Sequence, residues 1–78
     1  MSRGPTRQEA RDKASDLLGV DLEESHRLNG DEWDRIREMA GREGWHKRIG
    51  GIQTWARGHT LKDLLDGYEF AEETNKAE

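Results

Sequence analysis

The chain has 78 residues, of which 31% are apolar and 38% charged, with a formal net charge of −4 and no cysteine. That length allows one domain at most, burying only about two-thirds of its unfolded surface, so a small and marginally stable fold is expected. The missing cysteine excludes a disulfide framework and thiolate metal sites, and the acidic total argues against a dedicated nucleic-acid binder, which carries a dominant basic field.

The composition lies close to that of disordered chains. Three Trp, one Tyr and one Phe argue for folding, because each brings a large apolar surface to bury. So do apolar residues at helical spacing, and Gly and Asn where helices would stop. The N-terminus Met1-Ser2-Arg3-Gly4-Pro5 has no apolar stretch behind it, and the longest apolar run is two residues. Neither a signal peptide nor a membrane span is read, and a cytoplasmic protein is expected. Charge is unevenly laid out: +1 over 1–19, −4 over 20–40, +3 over 41–60 and −4 over 61–78. A basic middle facing acidic flanks is the plainest reading of that alternation.

Residues 1–5 read as a flexible arm, 6–73 as a single domain and 74–78 as a frayed tail. The first helix is predicted over Thr6–Leu18. Thr6 and Glu9 have capping-box spacing, and Ala10, Ala14, Leu17 and Leu18 fall on one face. Gly19 suits a left-handed cap, with Val20 supplying the apolar contact that accompanies one. Residues 21–30 read as a single turn followed by a loop, and Asn29-Gly30 as a turn dipeptide. The second helix is predicted from about Asp31 to Ala40, with Asp31 and Glu32 in its first turn. Trp33, Ile36, Met39 and Ala40 share its face, and Gly41 or Gly44 ends it.

The central stretch, Gly44 to Gly58, admits two readings. As a helix, it places Trp45, Ile49, Ile52 and Ala56 within about 60° of one another. Two interior glycines cost about 1 kcal/mol each, less than the burial of two Ile and a Trp returns. As a hairpin turning at Gly50-Gly51, it pairs Ile49 with Ile52, but its faces mix Lys47 and Thr54 with the apolar residues. The helix is preferred. A last helix follows the N-cap Thr60, with Leu61, Leu64, Leu65, Tyr68 and Ala71 on one face. The fold class expected is therefore all-α, three to four short helices, with an α+β fold carrying the Gly50-Gly51 hairpin as the alternative. The expected core is Leu17, Leu18, Trp33, Ile36, Trp45, Ile49, Ile52, Leu61, Leu64, Leu65 and Tyr68.

Little in the chain suggests catalysis. His26, His46 and His59 have no metal-ligand spacing, and Asp31, Glu32 and Asp34 lack the alternation of a calcium loop. Ser25-His26 are adjacent, which points their side chains apart, and no phosphate loop follows Gly50-Gly51. No enzyme activity, metal or cofactor is expected. Two binding surfaces are. Phe70 lies about 180° from the centre of the last helix's stripe and Trp55 about 80° from the centre of its own. As exposed aromatics they would anchor a protein partner or a second copy, together with Glu69 and Glu73. The alternative is a helix-turn-helix-type DNA binder. In a continuous helix Arg42, His46, Gln53 and Arg57 form a basic stripe beside the apolar one, with Arg3, Arg7 and Arg11 adding phosphate contacts. The leading expectation is a non-catalytic protein-interaction module. Small, charged, cysteine-free chains of this kind are associated with accessory factors of phages and mobile elements.

Overall fold

The computed structural model describes residues 5–71. It contains three helices, α1 (Arg7–Leu18), α2 (Gly30–Glu43) and α3 (Leu61–Asp66), and two short strands, β1 (His46–Lys47) and β2 (Tyr68–Glu69). The strands pair antiparallel, with His46 opposite Glu69 and Lys47 opposite Tyr68. The content is thus mixed, compatible with the α+β alternative, but the pairing is not the expected one. The outgoing strand runs beside residues that follow α3, not beside residues 52–56. Residues 1–4 and 72–78, including Glu73 of the expected partner-binding set, lie outside the described residues.

α1 forms as its caps dictate. Thr6 Oγ1 accepts from the Glu9 N–H at 3.1 Å, and Glu9 Oε1 accepts from the Thr6 N–H at 2.9 Å. Gly19, at φ 74°, turns the chain in the left-handed region and donates to the Ser15 carbonyl at 2.8 Å. Ala10 and Ala14 are fully buried, which lets α1 lie close on α2 and α3. Val20 donates its N–H to the same Ser15 carbonyl at 3.2 Å and is 50% exposed. Two residues on, Leu22 is buried, and its N–H bonds Ser15 Oγ at 3.0 Å.

Residues 21–29 carry two core side chains that no periodicity marked. Leu22 and Leu28 are both buried. A turn closes at Glu23–His26, and the segment then runs beside the start of α3. Leu28 N–H bonds the His59 carbonyl, Leu61 N–H the His26 carbonyl and Lys62 N–H the Glu24 carbonyl, each at 2.9 Å. Arg7 staples the same region, with a two-pronged contact to the Glu24 carboxylate at 3.0 Å and an ion pair to Asp66 at 2.9 Å.

Asn29-Gly30 is not a free turn. Asn29 is the N-cap of α2, in a reciprocal box with Glu32, and Gly30 is the first helical residue. α2 runs three residues past Ala40 and stops at Gly44, φ 78°. Gly41 stays helical because nothing there demands a positive φ. Just after the stop, Trp45 donates its N–H to the Ala40 carbonyl at 3.0 Å and turns its ring into the core.

Beyond Trp45 the expected helix does not form. Residues 48–60 are irregular. Arg48 N–H bonds the Gly67 carbonyl at 2.9 Å, and Gly51 N–H bonds the Arg48 carbonyl at 3.1 Å. That closes a β-turn with Ile49 and Gly50 at its centre, Gly50 taking φ 83° as its third position requires. A Cβ on Gly51 would sit 2.8 Å from the Gly67 Cα, and one on Gly67 would meet the Ile52 carbonyl. Two glycines let two backbones touch, a contact that a helix over 45–56 cannot make. Ile49 and Ile52 consequently leave the core, at 98% and 41% exposed.

α3 ends at Asp66, five residues before the end of its expected stripe. Tyr68 and Phe70 then alternate along extended backbone and share a side of it. Continuing the register places Trp45 opposite Phe70. The ring centroids are 5.4 Å apart for Trp45–Phe70 and for Trp45–Tyr68, and 6.3 Å for Tyr68–Phe70. This trio closes one end of a core centred on Trp33, Ile36, Leu61, Leu64 and Leu65.

Candidate interaction loop

The exposed feature built most deliberately is the segment His46–Ile52. Each end is fixed by backbone. Trp45 anchors it on the core side, the β1–β2 pairing and the Arg48–Gly67 bond hold its outgoing limb, and Gly51 is seated on Gly67. What it displays is His46, Lys47, Arg48 and Ile49, all exposed. Among the described residues, neither the Lys47 nor the Arg48 side chain forms an ion pair. An isoleucine at 98% exposure on a turn with both ends fixed, behind three basic or titratable side chains, has an apolar tip and a basic collar.

The loop behind this tip is held by side chains. Gln53 Nε2 donates to the Gly67 carbonyl at 2.7 Å. Arg37 reaches across from α2, donating from Nε to the Tyr68 hydroxyl at 3.0 Å and from Nη1 to the Gln53 carbonyl. Its guanidinium thereby ties α2, β2 and the loop together, as its planar fork of donors allows.

Trp55 and Phe70 take a different place from that expected. Trp55 is half-buried, its indole lying on Gly30, where a Cβ would come within 3.6 Å of the ring. Its Nε1 donates to the Leu28 carbonyl at 2.8 Å. It latches the loop to the start of α2. Phe70 packs in the aromatic trio. The 180° displacement assumed a regular helix through residue 70, whereas the helix has already ended. Glu69 is exposed on β2, across from His46.

The basic stripe is dispersed. Arg42 lies in the last turn of α2, 3.9 Å from Glu38. His46 is on β1, and Gln53 is turned onto Gly67. Arg57 is exposed in a turn closed by His59 N–H to the Ala56 carbonyl at 3.1 Å. That turn follows Trp55, which sits at the opposite end of α2 from Arg42. At 1.5 Å per residue the ends in question are about 18 Å apart along the axis. The four side chains do not form one face. Sequence reasoning placed Ile49 in the core and missed its exposure. The available signal was Arg48-Ile49-Gly50-Gly51, which fits a β-turn with glycine at its third position as well as it fits a hairpin.

A shallow depression of about 330 Å³ lies along α1, lined by Pro5, Glu9, Asp12, Lys13 and Asp16. Among the described residues, no group of three His, Asp or Glu side chains is placed to hold a metal ion, and no helix is long and apolar enough to cross a membrane. Two carboxyls outside the loop are held below the ordinary carboxylate range. For Glu24 the hydrogen bond from Arg7 is the main cause. For Asp66 burial pushes upward, and hydrogen bonds from Lys62 and Arg7, with their charges, outweigh it. Comparison with protein-family models, curated proteins and solved structures found no match to this chain.

Proposed function

We propose that this chain is a non-catalytic protein-interaction module that presents the loop His46–Ile52 to a protein partner. The observation that carries the reading is Ile49, 98% exposed at the tip of a turn clamped at both ends. A lone exposed apolar side chain is ordinary on a protein surface. A rigid one, flanked by exposed Lys47 and Arg48, is preorganised for binding, because little loop entropy remains to be lost. The partner surface it fits has an apolar slot edged by carboxylates. Trp55 and Phe70 act from behind the loop as its supports. An accessory role in a phage or mobile element, as inhibitor, adaptor or assembly factor in the cytoplasm, fits a chain of this size and composition.

The DNA-binding alternative relied on one helical stripe through Arg42, His46, Gln53 and Arg57, and no helix runs through those four residues. It enters the test as an outcome. A random peptide display library is selected on the immobilised chain, with counter-selection on Ile49→Asp. Enriched peptides are expected to combine Asp or Glu with an apolar residue, and to bind Ile49→Asp about 10- to 100-fold more weakly. Failure of every peptide to discriminate the two proteins overturns the reading. So does a low-salt mobility shift of duplex DNA whose salt slope flattens when Lys47 and Arg48 are replaced.

A further inference from the structure

The loop has a complement on the same molecule. We infer that the partner surface it fits includes the α1 depression of a second copy, so that the chain associates head to tail. This rests on the reading of His46–Ile52 as an interaction loop. The loop is convex, with an apolar tip and two cationic side chains beside it. The depression is concave, and among the described residues its lining is Pro5 with the carboxylates of Glu9, Asp12 and Asp16 against one cation, Lys13. Lys13 itself lies 3.5 Å from Glu43, which leaves that lining acidic. About 330 Å³ holds an isoleucine side chain with room for the methylene stem of a neighbouring lysine or arginine. Within one copy the two are not joined, since Ile49 is 98% exposed.

A knob on one copy and a hollow on the next use different patches, so the contact is heterologous. Each copy keeps an unused knob or hollow, and association continues into open or closed assemblies. One isoleucine and two charges make a weak contact, populated at high protein concentration and loosened by salt. That restraint suits a chain whose net charge of −4 otherwise repels its own copies.

Two variants separate the halves of the contact. Ile49→Asp destroys the knob and leaves the hollow. Asp12→Lys with Asp16→Lys inverts the hollow and leaves the knob; Glu9 is spared because it caps α1. Circular dichroism and thermal unfolding establish that both fold. Sedimentation velocity is then run from micromolar to millimolar protein at low salt. The wild type is expected to show a sedimentation coefficient that rises with concentration, and a smaller rise in 0.5 M salt. Each variant alone is expected to stay monomeric. An equimolar mixture is expected to form a dimer and nothing larger, because one good knob meets one good hollow and both remaining ends are blocked. A wild type that stays monomeric to millimolar concentration overturns the inference, as does a mixture that stays monomeric. If peptides selected on the loop still discriminate Ile49→Asp while the wild type is monomeric, the interaction loop stands and only self-association fails. If neither result is obtained, both fail.

Discussion

Ile49 and Phe70 differ in what surrounds them, and their substitutions should separate accordingly. Ile49 touches almost nothing, so Ile49→Asp is expected to change the unfolding free energy by no more than about 0.5 kcal/mol. Phe70 packs edge-on against Trp45. Phe70→Ala is expected to cost about 2 kcal/mol, below the cost at a fully buried site because the ring is half-buried. Urea denaturation of the two variants beside the wild type reads both values. An unaffected Phe70→Ala together with an unfolded Ile49→Asp would reverse their assignments. Gly67 is the sharper case. Its φ is −79°, which any residue adopts, so the constraint there is space and not backbone angle. A methyl group would meet the Ile52 carbonyl. Gly67→Ala is expected to cost about 3 kcal/mol, comparable to an overpacked core, and to shift the backbone signals of residues 51–53 in an NMR spectrum. Spectra that leave residues 51–53 unmoved would remove the glycine–glycine contact from this account.

At the scale of elements, three capping boxes set where helices begin: Thr6 with Glu9, Asn29 with Glu32 and Thr60 with Asp63. Each is a local pattern spanning four residues, and the Thr6–Glu9 box and the Thr60 N-cap are legible in the sequence for that reason. Asn29 was misread as part of a turn, although Glu32 stood three residues ahead of it. What fastens the helices to one another is less local. Arg7 joins α1 to Glu24 in the connecting segment and to Asp66 at the end of α3. Both carboxyls have a lowered pKa in the folded chain. A carboxylate lowered by folding stabilises the fold above its ordinary pKa of about 4, and that contribution is lost as pH falls through the lowered value. Stability should therefore decline on the acid side of about pH 4. In Arg7→Met the decline should be shallower, because Glu24 and Asp66 return toward ordinary values, and stability at pH 7 should drop by about 1 kcal/mol. Urea midpoints taken from pH 7 to pH 2 test this; parallel curves for the two proteins would count against the staple.

For the whole molecule, sequence by itself determined the beginnings of α1 and α3, the Gly19 cap, the buried faces of α1 and α2, and the Leu61, Leu64, Leu65 face of α3. These follow from spacings of three and four residues and from side chains that cap their own backbone, so no distant partner is needed to read them. Tertiary structure decided the centre. A stripe of Trp45, Ile49, Ile52 and Ala56 fits helical spacing well, yet it places two glycines inside a helix. The chain instead uses Gly51 to touch Gly67, pairs His46–Lys47 with Tyr68–Glu69, and buries Trp45 against Tyr68 and Phe70. The nearest of those partners, Gly51 and Gly67, are 16 residues apart and the others further, so no local period could have announced them. Leu22 and Leu28 were missed for the same reason, being buried from irregular backbone by α1, α2 and α3 around them. The interaction loop changed sides with the centre. Its apolar residue was legible, but whether Ile49 faces inward or outward depends on a contact between two backbones far apart in sequence. Glycine makes that contact sterically open, and only the folded chain brings the two glycines together.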